Sequence, residues 1–117
     1  MKRTVVCVDF DGTLHNPYDV SEGYRMGKPV FGASTGLREL ALMGYSIVVC
    51  TARTEVAHVR KWLDYWGLLR YVDDVSHEKP LADLYIDDRG LRFEGDWQAT
   101  VDHAEAILAR LERQALK

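Results

Sequence analysis

The sequence predicts an α/β fold with a mainly parallel sheet and helices on its faces. Three observations carry that reading. Strand-like and helix-like patterns alternate from end to end, without repeats or a linker. Two runs, residues 4–10 and 46–50, are apolar or β-branched almost throughout, as strands covered on both faces are. Polar and charged residues then follow each apolar run, where an open parallel sheet presents its ligand crevice.

The first strand, Thr4 to Phe10, is broken by Asp11-Gly12. Residues 14–33, with Asn16-Pro17 and Pro29, form an excursion loop longer than compact folds usually keep without a use. Ser34 or Thr35 caps a helix carrying Leu37, Leu40, Ala41 and Met43, which Gly44 stops. Residues 46–50 are the second strand. Thr54 and Glu55 open a helix in which Val56, Val59, Trp62 or Leu63, and Trp66 recur at helical spacing up to Gly67. Short strands follow at Tyr71 to Val75, Leu84 to Ile86 and Gly90 to Phe93. Asp96 caps a last helix with Trp97, Val101, Ala104, Leu108 and Leu111 on one stripe. Trp62, Trp66 and Trp97 are expected to face the core.

At 117 residues, 47% hydrophobic and 28% charged, the chain fits one globular domain, residues 1–117. Fifteen basic and 18 acidic residues give a net charge of −3, which predicts no general affinity for nucleic acid or anionic membrane. No apolar run reaches the roughly 20 residues of a membrane span, and Cys7 and Cys50 read as small buried hydrophobes in a reducing cytoplasm.

The strand ends gather the chemistry. Asp9, Asp11, Thr51, Arg53, Lys79, Asp87, Asp88 and Arg89 would converge on one sheet edge. Four carboxylates repel strongly unless a cation neutralises them, and hard oxygen ligands suit Mg²⁺. The set therefore reads as a metal-assisted phosphoryl-transfer site. Residues two apart on a strand share a face, so Asp9 and Asp11 address one substrate while Gly12 turns the backbone beneath it. One carboxylate attacks phosphorus and the other handles the leaving-group proton. Thr51 offers a hydroxyl to a phosphoryl oxygen. Lys79 offers a compact positive charge that orients Asp9. His15 is placed at the entrance, and His58, His77 and His103 lack metal-ligand spacing.

Asp9-Phe10-Asp11-Gly12-Thr13, Thr51, Lys79 and Asp87-Asp88 resemble, in order, the four motifs of the haloacid dehalogenase superfamily of phosphohydrolases. The resemblance spans nearly the whole chain and implies a Rossmann-like three-layer α/β/α sandwich. It implies that Asp9 becomes an aspartyl phosphate and that Asp11 is the general acid and base. It further implies Mg²⁺ on the Asp9 carboxylate, the Asp11 backbone carbonyl and Asp87 or Asp88. Gly12, Thr13, Thr51, Ala52, Arg53, Lys79 and Arg89 would surround the substrate. The segment from 52 to 78 is too short for a cap domain, so the chain resembles capless members, with a site that is open or covered by a partner subunit. Residues 43–49 and Ile86 to Arg89 also resemble the 3′-phosphatase part of polynucleotide kinase-phosphatases.

The substrate class is then a nucleotide, a polynucleotide 3′-phosphate or a small sugar or metabolite phosphate. Arg25 and Lys28 in the excursion loop are candidates for contacting further phosphates. Two other classes compete with this reading. A receiver domain needs its phosphate-accepting aspartate in mid-chain, where position 51 is threonine. A catalytically silent phosphate-binding module would not need the complete set of side chains present.

Overall fold

A computed structural model describes residues 3–20 and 26–115. Its elements are β1 (Val5–Asp9), α1 (Ala33–Leu42), β2 (Ser46–Cys50), α2 (Val56–Tyr65), a 3₁₀ turn (Leu69–Tyr71), β3 (Asp74–Ser76), β4 (Leu84–Ile86) and α3 (Trp97–Ala115). The four strands form one sheet in the order β3-β2-β1-β4, every neighbouring pair parallel. The fold is α/β and Rossmann-like. The chain starts in the middle, winds out to β3 and returns to the other side of β1. The carboxyl ends of β1 and β4 therefore flank a topological switch point, where ligands of such sheets bind.

Alternation along the strands decides what is buried. Val6, Val8 and Phe10, with Ile47, Val49 and Val75, enter one core with Leu37 of α1, Val59, Trp62 and Leu63 of α2, and Leu68. Fully burying a side chain such as Phe10 or Leu63 contributes about 1.5–3 kcal/mol. The opposite register of β1 and β2 carries Val5, Cys7 and Asp9 beside Val48 and Cys50. The two cysteines are free thiols with sulfurs 2.8 Å apart; Cys7 is buried and Cys50 half-buried. Burial, followed by the neighbouring Cys50, pushes the Cys7 thiol up to about 12.

Two aspartates outside the site lock the strand register. Asp83 accepts the Val5 N–H at 2.8 Å and returns its own N–H to the Val5 carbonyl at 2.9 Å. Asp73 does the same with Ile47, at 2.8 Å in both directions. Each satisfies a terminal backbone pair that the neighbouring strand cannot reach.

Several sequence expectations are corrected. α1 starts at Ala33 behind Gly32 and has no side-chain cap, so Ser34 and Thr35 lie inside the helix. The third strand begins at Asp74, because 69–71 close into a 3₁₀ turn after α2. Residues 90–93 form no strand. The α3 stripe is exposed, with Trp97 71% accessible and no residue of the helix buried, although Asp96 does cap it through the Ala99 N–H at 3.1 Å. Trp66 is also exposed, and of the three tryptophans only Trp62 joins the core. No cap domain interrupts the described residues, and no described helix is long and apolar enough to cross a membrane.

Candidate active site

A cleft of about 460 Å³ opens at the switch point. Asp9 reaches it from the end of β1, and Cys50, Thr51 and Ala52 from β2. His77 and Lys79 come from the loop after β3, and Asp87 and Arg89 from the end of β4. Cys7, Tyr85 and Ile86 complete its floor and wall. Four separate chain segments thus deliver to one cavity Asp9, Thr51, Lys79, Asp87 and Arg89 of the residues expected at strand ends, while Asp11, Arg53 and Asp88 lie outside its lining.

Asp9 sits where ionisation is costly. Burial raises its pKa above the ordinary carboxylate value, a hydrogen bond from the Phe10 N–H opposes that rise, and Asp88, Asp87 and Asp11 add to it. Thr51 is buried; its N–H donates to the Ser76 carbonyl at 3.0 Å and its Oγ1 accepts the Arg53 N–H at 3.0 Å. Thr13 ends the first motif with a buried hydroxyl that has no partner among the described residues. Lys79 Nζ lies 4.4 Å from the centroid of the Tyr85 ring and forms no ion pair within 4 Å among the described residues. The Tyr85 hydroxyl accepts the Ala82 N–H and donates to the Pro80 carbonyl, fixing the loop that presents Lys79. The lysine thus shares the cleft with Asp9 without pairing to it.

Asp87 and Asp88 divide their work. Asp87 Oδ1 accepts the Arg89 N–H at 2.8 Å and the Gly90 N–H, and these bonds hold its pKa below the ordinary range. It closes the turn after β4. Asp88 instead leans on the first motif: a Cβ at Gly12 would overlap its Oδ2 and lie 2.7 Å from its Cγ. Asp87 lines the cleft and Asp88 does not, but Asp88 is the strongest of the charges acting on Asp9.

The Asp11 carboxylate does not line the cleft and is held by partners of its own. Arg53 grips it with Nε on Oδ2 at 2.8 Å and Nη2 on Oδ1 at 3.0 Å, and His15 Nδ1 meets Oδ1 at 2.7 Å. Burial pushes Asp11 up, but the bonds from Arg53 and His15 outweigh it, and the net shift is downward. His15 corrects the sequence reading: it is 1% exposed beneath Asp11, not at the entrance. His58, His77 and His103 are exposed. Arg25 lies outside the described residues.

The donor set fits a hard cation in chemistry. Among the described residues no three carboxylate, imidazole or thiol side chains are gathered as a metal cluster. The Asp11 carboxylate is engaged by Arg53 and His15, which leaves Asp9, Asp87 and Asp88 as the carboxylates of this edge without a cationic partner within 4 Å among the described residues.

No family model matches the chain, and neither does any curated protein. Among solved structures it is similar to a conserved protein from Bacteroides thetaiotaomicron, at 22% identity and a TM-score of 0.60, over 90% of this chain and 92% of that one. The likeness is one of fold, and it extends over almost the full length of both chains.

Proposed function

We propose that this chain is a Mg²⁺-dependent phosphomonoesterase of the haloacid dehalogenase type, working through an aspartyl phosphate. The observation that carries the reading is the meeting of Asp9, Thr51, Lys79 and Asp87 in one cleft at the switch point. An Asp9 oxygen attacks phosphorus, and the ester oxygen leaves with a proton from Asp11. Water then attacks the acyl phosphate, returning a proton to Asp11 and freeing Asp9. Thr51 and Lys79 hold phosphoryl oxygens as charge builds on them. Ala52 and Arg89 line the cleft around the phosphate, whereas Gly12 and Thr13 of the first motif lie outside its lining. Arg53, now on Asp11 with its side chain 42% exposed, would exchange that carboxylate for a substrate phosphate.

When bound, Mg²⁺ supplies a Lewis acid that offsets charge on phosphoryl oxygen and on Asp9. The Asp9 carboxylate, the Asp11 backbone carbonyl and Asp88 would hold it, while Asp87 shapes the turn that presents Asp88. The lack of a cap among the described residues suits an ester whose alcohol part extends out of the cleft, such as a nucleotide or a nucleic-acid 3′-end. A compact sugar phosphate is the alternative. Hydrolysis of an aryl phosphate, a 3′-phosphorylated oligonucleotide and sugar phosphates tests both levels. Magnesium-dependent turnover abolished by Asp9→Asn is expected. Turnover that survives Asp9→Asn would remove the nucleophile assignment, and preference for one compact ester would remove the nucleic-acid end.

A further inference from the structure

His15 follows Asp11 by four residues, and the turn between them folds its ring back under the carboxylate. The Leu14 and His15 N–H groups both donate to the Phe10 carbonyl, at 3.0 and 2.9 Å. The ring stacks on Phe10, with centroids 5.0 Å apart and planes 5° apart, and meets Trp62 edge-on at 5.3 Å. Its Nε2 lies 2.7 Å from the Gly27 N. A backbone N–H can only donate, so Nε2 holds the lone pair and the ring proton is on Nδ1. Nδ1 therefore donates to Asp11 Oδ1 across 2.7 Å.

Gly27 is held as firmly as the ring it touches. Trp62 Nε1–H donates to the Gly27 carbonyl at 2.8 Å, and a Cβ at Gly27 would overlap the Asn16 carbonyl oxygen. The excursion loop is thus pinned to α2 at Gly27, and through His15 to Asp11. Of the two groups on Asp11, Arg53 has a side chain 42% exposed and His15 one only 1% exposed. Arg53 can exchange its carboxylate for another anion in solvent; the ring has nowhere to go.

We propose that His15 is a positioning residue for Asp11, fixing the carboxylate through Nδ1–H···Oδ1 so that Oδ2 is the oxygen that exchanges the proton. The proposal rests on Asp11 being the acid and base of the reaction described above. In the first half, the proton on Oδ2 passes to the ester oxygen as the Asp9–phosphorus bond forms and the phosphorus–ester bond breaks. In the second, a water proton returns to Oδ2 as the water–phosphorus bond forms and Asp9 leaves. His15 itself neither gains nor loses a proton.

Glutamine and asparagine separate the two ends of the ring. His15→Gln keeps a polar atom near the Nε2 position for Gly27 but removes the donor to Asp11. His15→Asn keeps a donor near the Nδ1 position and loses the contact to Gly27. The assay is kcat and KM over a series of aryl phosphates of rising leaving-group pKa. His15→Gln should lose on the order of 10²-fold in kcat on the poorest leaving groups, with KM held and a steeper dependence on leaving-group pKa. His15→Asn should recover most of that loss and keep the wild-type slope. Equal losses in both variants, with an unchanged slope, would show a purely structural ring and overturn the proposal. ¹⁵N NMR of the wild-type imidazole keeps the proposal open to refutation even if neither variant folds. A proton on Nδ1 alone is expected, and one on Nε2 overturns the assignment. Wild-type protein without magnesium-dependent turnover would instead bring down the phosphatase reading, and this proposal with it.

Discussion

Gly12 offers a comparison in which backbone strain cancels and only the site differs. Gly12 and Gly44 both have positive φ, +85° and +87°. At Gly44 an added Cβ meets nothing within 4 Å; at Gly12 it overlaps Asp88 Oδ2 and lies 2.7 Å from Cγ and 3.2 Å from Oδ1. Alanine at either position carries the left-handed backbone cost of about 1–2 kcal/mol. For a domain of this size that is a fall in Tm of about 4–8 °C. The Asp88 side chain is exposed, so it can rotate away from the added methyl group at little further cost in stability. Rotation, however, removes it from the first motif. Gly12→Ala and Gly44→Ala should therefore melt within a few degrees of each other, judged by the same strain scale. Gly12→Ala alone should raise the magnesium concentration for half-maximal hydrolysis by about tenfold or more. Melting scans and a magnesium titration of aryl phosphate hydrolysis measure both quantities. If Gly12→Ala kept the wild-type magnesium requirement at the stability of Gly44→Ala, the placement of Asp88 in the metal site would be refuted.

Three further outcomes follow from the same geometry. Burial and the facing carboxylates raise the Asp9 pKa, so its ionised form destabilises the native state above the folded pKa and has no effect below the unfolded value near 3.8. Metal-free Asp9→Asn should therefore melt higher than wild type at pH 7, and the gain should vanish as the pH falls through the raised pKa toward 3.8; no gain at pH 7 would contradict the crowding of the acids. Asp11 has the opposite sign, contributing stability above 3.8 that is lost as pH falls through its lowered folded pKa. Arg53→Met should be destabilised at neutral pH but match wild type in acid, with a difference under about 1 kcal/mol because both side chains are about two-fifths exposed. Asp87→Ala should lose about 1 kcal/mol of stability with its turn bonds, measured by urea unfolding, whereas Asp88→Ala should lose the thermal shift given by Mg²⁺.

What was legible in the sequence follows from what is local. β1 and β2 lie almost where the apolar runs put them, because a buried parallel strand needs an uninterrupted run, and β4 lies at Leu84–Ile86 as expected although it is a largely exposed edge strand. Gly44 stops α1 because a positive φ is needed there. The strand-end rule then predicted the Asp9, Thr51, Lys79 and Asp87 cleft without any contact being known. The misses are tertiary. The α3 stripe has the spacing of a buried face, but periodicity shows that a face is apolar and not what covers it. The local sequence places His15 beside the first motif, whereas its burial depends on Trp62 and Gly27, 47 and 12 residues away along the chain. One signal was available: a histidine four residues after Asp11 across a Gly-Thr turn is within reach of that carboxylate. The Arg53–Asp11 pair spans 42 residues and had no local mark.

The central claim is that phosphate passes through the Asp9 carboxylate. The most direct measurement is an acid quench of the enzyme during turnover of an aryl phosphate with Mg²⁺, followed by borohydride reduction and peptide mass spectrometry. An acyl phosphate on Asp9 is reduced to the corresponding alcohol, so the peptide carrying Val8-Asp9-Phe10 should contain homoserine at position 9, and only when substrate and Mg²⁺ were both present. Turnover with Asp9 unmodified, or with phosphate found on another residue, would contradict the account.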